Sequence, residues 1–380
     1  MNQRSMQAVR QPAVSRVPLL DLTREYDAHR AELLGACERV LDRMHLLGGE
    51  ELKAFEQEMA AYLGVAHVRG VASGTDALRL AVRAAGLRPG DETLIQANAF
   101  MAAVEALHDS GVRPVAVDVR LDDLGPDLDD LAGRVTSRTR AIMLVHLYGF
   151  PVDLDPILAF AREKNLMVLE DCSHAHGATY GGRRVGGFGV AGAFSLGVVK
   201  NLAAYGDGGL VSTDDAALAE RIKLLGTHGQ VKKNEHAFYG GNSRLDELQA
   251  AMLRVKLRLL DARNARRAEI AAYYGDRFRG LCVPPPEDPH RTHVYHQYVV
   301  RSARRDALKA HLGAQDVDTG VHYPVPIHRQ QAWRDTFGDT PSLPRAEQVA
   351  REMLSLPVGP DLTDAEVERV ADAVVGFFRR

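Results

Sequence analysis

The sequence predicts an α/β protein with a mixed, mostly parallel sheet sandwiched by helices, followed by a smaller C-terminal α+β domain. Three observations predict it. Between Val68 and Leu169 short apolar runs alternate with amphipathic stretches, the pattern of strands that run parallel and are joined by crossover helices. The chain has 380 residues, 46% of them hydrophobic and 26% charged, enough for one large core and a second, smaller one. The run Pro284-Pro285-Pro286 stops a long helical pattern and marks a boundary within the chain.

Taken in order, residues 1–16 read as a flexible segment, 17–255 as the large domain, and 256–380 as the small one, which begins within a long linking helix. Tyr26–Met44 and Glu50–Leu63 have helical apolar spacing, the second through Leu52, Phe55, Met59 and Leu63. There follow a helix over Asp76–Ala85, a strand over Glu92–Ile95, a helix over Phe100–Ser110 and a strand over Pro114–Val117. Ala141–His146 and Leu166–Leu169 read as further strands, separated by a helix over Leu154–Lys164. Arg88-Pro89-Gly90-Asp91 and Gly149-Phe150-Pro151 supply turns between these elements.

Glycine density rises between Gly181 and Gly209, where Ala193–Leu196 and Leu210–Ser212 read as strands. One continuous helix is expected over Leu245–Phe278. Beyond the prolines, His296–Val300 reads as a strand, Arg305–Leu312 as a helix and Thr363–Phe378 as a closing amphipathic helix.

Composition narrows function by exclusion. A net charge of −3 provides no broad cationic field for nucleic acid or a lipid surface. No stretch approaches the roughly 18 apolar residues of a membrane span, and the polar start has no apolar core of a signal peptide, so a cytoplasmic location is expected. Cys37, Cys172 and Cys282 are far apart and form no zinc or iron–sulfur framework; no metal is expected.

Two motifs are decoys. Gly187-Phe188-Gly189-Val190-Ala191-Gly192 matches a dinucleotide fingerprint, with Asp207 twenty residues on. That fingerprint needs a strand before it and a helix after it to hold a pyrophosphate, whereas glycines and arginines precede this one and strand-like Ala193–Leu196 follows. His290, His293 and His296 are three apart, a spacing that on a strand sends neighbours to opposite faces, so they are read as solvated or satisfied histidines.

Three other segments point to chemistry together. Ser73-Gly74-Thr75-Asp76 leads into a helix, whose unpaired first-turn amides and dipole stabilise an anion. Leu166–Leu169 ends in Glu170-Asp171, which places a carboxylate at the carboxyl end of a strand, where open α/β sheets bind ligands. Lys200 follows an apolar stretch and precedes Tyr205-Gly206-Asp207-Gly208-Gly209; a lysine desolvated in this way has a lowered pKa and can form a Schiff base. A phosphate cradle, a partner for a pyridinium nitrogen and a Schiff-base lysine are the three requirements of pyridoxal phosphate.

With these residues the chain resembles the DegT/StrS-type aminotransferases of keto sugars. The resemblance runs from Pro18-Leu19-Leu20-Asp21-Leu22 to the closing helix and includes Ser73–Leu78, Glu170–Ala178, Lys200-Asn201-Leu202, Gly206–Gly209, Gly241–Ala251, Gly320–Pro324 and Leu354–Pro357. It implies a fold-type I pyridoxal-phosphate transferase working as a homodimer with shared active sites. By position, Lys200 would be the Schiff-base lysine and proton shuttle, and Asp171 the partner of the ring nitrogen. Gly74, Thr75 and Ser195 would hold the phosphate with Asn242 from a second copy, Asp76 would be a further cofactor contact, and Phe100 would stack on the ring. His174 stands where the family often has glutamine near the phenolic oxygen. His322, Tyr323, Lys232, Lys233 and Arg244 are candidate substrate contacts.

The resemblance implies transfer of an amino group from glutamate or glutamine, by way of pyridoxamine phosphate, to a nucleotide-linked keto-hexose in amino-sugar or antibiotic biosynthesis. A free cyclitol ketone is the alternative acceptor, and a non-catalytic regulator or scaffold the alternative class. Relatives that dehydrate sugars replace the lysine with histidine or add an iron–sulfur cluster; Lys200 and the scattered cysteines argue against both.

Overall fold

A computed structural model describes residues 16–338 and 341–379; the expected flexible segment lies, Arg16 apart, outside the described residues. The chain begins with helices α1 (Leu22–Arg43) and α2 (Glu50–Leu63), then alternates strands with helices: β1 (His67–Val71), α3 (Gly74–Ala84), β2 (Glu92–Gln96), α4 (Met101–Asp109), β3 (Arg113–Val117), α5 (Leu128–Gly133), β4 (Thr139–Val145), α6 (Leu154–Glu163) and β5 (Met167–Asp171). Strands β6 (Ala191–Ser195) and β7 (Gly209–Thr213) and helix α7 (Ala216–Gly226) complete the sheet region. The sheet order is β1-β7-β6-β5-β4-β2-β3. β7 runs antiparallel to both of its neighbours, and every other pairing is parallel.

Both faces of this sheet are covered. Ile95, Met143 and Leu169 pack on one side with α3, α4 and α7, while Leu94, Ile142, Leu144 and Val168 pack on the other with Leu154, Ile157 and Ala161 of α6. Alternate residues face opposite sides of a strand, so strands buried on both sides read as continuous apolar runs. The fold is the mixed α/β arrangement that the alternation predicted.

The expected single helix over Leu245–Phe278 is instead two, α8 (Glu247–Leu257) and α9 (Leu260–Phe278). The break at Arg258-Leu259 carries no glycine or proline, and the apolar period continues across it, so periodicity alone could not register it. After α9 come β8 (Tyr298–Arg301), α10 (Arg305–Gly313), α11 (Gln331–Phe337), α12 (Pro344–Glu352), β9 (Met353–Leu356) and α13 (Asp364–Phe378). β8 and β9 pair antiparallel and, with α9, α10 and α13, enclose a second core around Tyr274, Phe278, Tyr298 and Leu354. Val17 also packs there. A capping box of Thr363 and Glu366 starts α13.

The start of α2 is secured by a buried carboxylate from another helix. α2 has only Gly49 at its N-cap, without a side-chain bond. Glu247 of α8 supplies one, accepting from the amides of Gly49 (2.7 Å), Leu52 (3.1 Å) and Glu51 (3.0 Å). Glu247→Ala therefore strands three buried donors at a helix start, and unfolding in denaturant is expected to show a loss of about 2–4 kcal/mol; a loss below ~0.5 kcal/mol would mean that water replaces the carboxylate there.

Candidate active site

The strand register places several chain ends along one edge. Asp171, the last residue of β5, lies opposite Val145 of β4 and Ala193 of β6, and Ser195, at the end of β6, pairs with Gly209 opposite the end of β1. Loops leaving this carboxyl edge enclose a cavity of about 420 Å³ whose lining includes Gly74, Thr75, Phe100, Asp171, His174, Ser195, Lys200, His322 and Tyr323. Nine residues named from the sequence therefore meet in one cavity. The fold rule for open α/β sheets predicts this edge.

At one end of the cavity, Ser73 caps α3 by accepting from the amide of Asp76 at 3.1 Å. The amides of Gly74 and Thr75 lie in the first turn, where a helix has no carbonyl to offer them. Ser195 lies directly against this turn: a Cβ on Gly74 would stand 2.5 Å from the Ser195 Cβ. Only glycine allows the helix start and the Ser195 hydroxyl to form one cradle. Asp76, a candidate cofactor contact, does not line the cavity. Its carboxylate accepts from the Ser243 hydroxyl at 2.7 Å and pairs with Arg79, so it braces the helix instead.

Lys200 is held in a tight loop whose ends are pinned by Leu196 N–H to Gly208 (2.7 Å) and Ala204 N–H to Leu196 (2.7 Å). Burial lowers its pKa to about 8, against the opposing pull of the Asp171 charge. Burial raises the pKa of Asp171, while the Ser173 hydrogen bonds and the Lys200 charge hold it down. The pair brings a readily deprotonated amine and a buried acid into one water-poor space, the arrangement expected of functional groups.

His174 is fixed by a residue that sequence reasoning missed. Tyr148 is buried with φ of 60°, a left-handed conformation uncommon for a bulky side chain. There its amide donates to Nδ1 of His174 at 3.2 Å, and its hydroxyl donates to the His322 carbonyl. With Nδ1 accepting, a neutral His174 carries its proton on Nε2; burial and the nearby Lys200 charge keep its pKa well below the usual histidine range.

The second missed residue is His296, read from its spacing as a bland histidine. Its ring lies 4.3 Å from that of His174, centre to centre, it lines the cavity, and its Nδ1 lies 3.1 Å from the side-chain Oδ1 of Asn201. His293 is buried against Phe150 and Tyr295, and His290 is exposed, so the three histidines do not converge. Phe100 is 52% exposed, its ring 5.1 Å from that of Tyr323 at the mouth of the cavity.

Asn242, Lys232, Lys233 and Arg244 are exposed and do not line this cavity. Lys232 pairs with Glu235 at 3.5 Å. Their expected roles depend on a second copy of the chain, because within one chain these residues lie on the outer surface.

Glu170 explains both the false dinucleotide fingerprint and a cluster with His146 and Cys172 that has metal-like spacing. Adjacent to Asp171 on β5, it points to the opposite face and accepts from the amides of Gly186, Phe188 and Gly189 at 2.7–2.8 Å and from His146 Nε2 at 3.2 Å. Burial alone would raise its pKa, but His146 and these amides hold it low. The glycine loop thus turns the amides of Gly186, Phe188 and Gly189 inward onto an internal carboxylate and away from any pyrophosphate, and the four bonds leave that carboxylate no lone pair for a cation.

Among the described residues no helix is long and apolar enough to cross a membrane. A sequence model of the DegT/DnrJ/EryC1/StrS aminotransferase family matches residues 27–375. The chain is 45% identical to a dTDP-3-amino-3,4,6-trideoxy-alpha-D-glucose transaminase of Streptomyces venezuelae, over 94% of this chain and 95% of that protein. Its structure is similar to that of S. venezuelae DesV in complex with a ketimine intermediate, with a TM-score of 0.94 and 44% identity over 96% of this chain and 99% of the other. It is also similar to NtdA of Bacillus subtilis with bound pyridoxamine phosphate, with a TM-score of 0.91 and 28% identity over 98% and 87% of the two chains.

Proposed function

The chain belongs to the DegT/DnrJ/EryC1/StrS aminotransferase family, and from that membership we propose that it uses pyridoxal phosphate to move an amino group from glutamate or glutamine to a nucleotide-linked keto-hexose. The observation that carries the reading is Lys200, desolvated and facing buried Asp171 at the carboxyl edge of the sheet. A scaffold has no use for that pair, whose burial only costs stability.

The residues present fit the cofactor. The Gly74 and Thr75 amides with the Ser195 hydroxyl would hold its phosphate, Asp171 its ring nitrogen, Phe100 a ring face, and His174, through Nε2–H, its phenolic oxygen. When bound, the cofactor supplies an electron sink that acidifies the Cα–H of an amino acid. Lys200, with a pKa of about 8, is then suited to carry a proton from donor to acceptor carbon near neutral pH, since a catalytic base works best with a pKa near the working pH. His322, oriented by the Ser355 hydroxyl at 2.8 Å, and Tyr323 would meet the acceptor. Asn242 and the basic residues Lys232, Lys233 and Arg244 would come from the partner in a homodimer, in a cytoplasmic enzyme of amino-sugar or antibiotic biosynthesis.

The acceptor class follows the relatives, foremost the dTDP-sugar transaminase that is 45% identical. Its test is a panel of ketones offered to the protein preloaded with pyridoxamine phosphate. Nucleotide-linked keto-hexoses are expected to restore the pyridoxal spectrum at least about 100-fold faster than free cyclitol ketones, the discrimination expected when a charged diphosphate is bound. Turnover confined to a free cyclitol would overturn the acceptor assignment.

A further inference from the structure

A second, smaller cavity of about 140 Å³ adjoins the first through shared residues Val199, His296, Gln297 and His322. Its other walls are Leu19, Leu20, Leu356 and Val358, all apolar, and Arg267. Arg267 is 6% exposed and forms no ion pair among the described residues, although its neighbour Arg263 pairs with Asp361 at 2.7 Å. Nη1 of Arg267 donates to the carbonyls of Tyr295 (3.2 Å) and Val358 (3.4 Å). No hydrogen bond among the described residues uses its Nε or Nη2. Three of the five N–H donors of this guanidinium, on Nε and Nη2, are therefore left for whatever occupies the cavity that Arg267 lines.

The position of Arg267 ties it to the reacting centre. One turn earlier on α9, Asn264 accepts from Asn201 at 2.9 Å, and Asn201 is the residue after Lys200. Residues three apart share a helix face, so Arg267 extends the same face that fixes the lysine loop, past His296. At about 140 Å³ the cavity it lines is too narrow for a sugar diphosphate, but suits a carboxylate on a short alkyl stem, for which a guanidinium provides a matching fork of donors.

We propose that this side cavity is the carboxylate subsite of the amino donor, with Arg267 as the residue that binds the carboxylate and the leucine and valine walls fitting its methylenes. The inference rests on the transaminase reading above. It explains why a buried cation lies beside the substrate cavity with no carboxylate at ion-pair distance among the described residues, Asp361 and Glu25 being engaged by Arg263 and acting on Arg267 only from further off, and it makes the donor an amino acid in preference to a simple amine. Keto-sugar binding makes no use of the subsite.

The test separates the two half-reactions in the holoenzyme. In Arg267→Met, the glutamate concentration needed for half-maximal conversion of the pyridoxal to the pyridoxamine spectrum should rise about 10–100-fold, the loss expected for a charge-assisted pair. The return reaction with a keto-sugar, measured on protein preloaded with pyridoxamine phosphate, should stay within about twofold of the unsubstituted protein, taking that as a threshold well below one decade of affinity. Glutarate, which has no amine to transfer, should compete with glutamate in the unsubstituted protein and lose that effect in the variant. Should Arg267→Met fail to fold, Leu20→Glu tests the same point by placing an internal carboxylate in the cavity, and should likewise weaken glutamate alone. Equal weakening of both half-reactions would make Arg267 structural and overturn the subsite, as would unchanged glutamate dependence in Leu20→Glu or in a folded Arg267→Met. Failure of the unsubstituted protein to convert with either glutamate or glutamine would overturn the transaminase reading itself.

Discussion

Lys200→Ala is expected to lower transamination by at least about 10³–10⁴-fold, the contribution of a positioned acid–base group, and to abolish borohydride fixation of the cofactor to the chain. Two properties of the site support a loss of this size. Among the described residues the lysine is the only amine lining the cavity, so none of them can take its place as nucleophile. Its loop is closed at both ends by backbone bonds, which fix the backbone that carries it into the cavity shared with Asp171. The same environment sets a pH dependence. With a pKa of about 8, the fraction of neutral Lys200 rises tenfold per unit below that pH and then levels off. Loading of pyridoxal phosphate onto stripped protein, followed by absorbance, should therefore accelerate towards a plateau above about pH 8. A profile still rising steeply at pH 10 would mean that the lysine behaves as an exposed one.

How much of this was legible in the sequence depends on whether a feature is local. Helix α2 follows from the spacing of Phe55, Met59 and Leu63, all buried, and the parallel strands follow from their continuous apolar runs. The anion cradle, Asp171 and Lys200 were also readable, because each is announced by its immediate neighbours: a cap before a helix, an acid ending a strand, a lysine among glycines. Tyr148 and His296 carry no such signal. One reaches the site through a left-handed backbone that no glycine or asparagine announces, and the other through a loop from beyond the proline run, brought in by packing between distant segments. Helices α7 and α12 were also missed. α12 has a mean composition rich in charge, and only Ala346, Val349 and Ala350 are buried, so its apolar stripe is too narrow to stand out. The parity of β5 separates two acids that look equivalent in sequence: Asp171 faces the cavity, while Glu170 faces the glycine loop and holds it.

Asp171→Asn should produce effects of opposite sign on binding chemistry and on catalysis. The carboxylate is 4% exposed and bears a charge that a neutral amide of the same shape lacks, so a ring nitrogen beside it would no longer be held protonated. Both half-reactions should slow together by about 10²–10³-fold, the scale measured for removing one preorganised electrostatic partner. The phosphate cradle of Gly74, Thr75 and Ser195 is untouched by this change, so cofactor should remain bound. Lys200 responds differently. Its pKa is lowered by burial and partly restored by the Asp171 charge; without that charge it falls below about 8, and more of the amine is neutral at pH 7. The loading plateau should therefore begin at lower pH in Asp171→Asn, with faster loading at neutral pH, even as turnover collapses. A variant that merely damaged the fold would slow both processes. Turnover within tenfold of the unsubstituted protein would instead remove Asp171 from the ring nitrogen, and a loading profile shifted to higher pH would show that its charge does not act on Lys200.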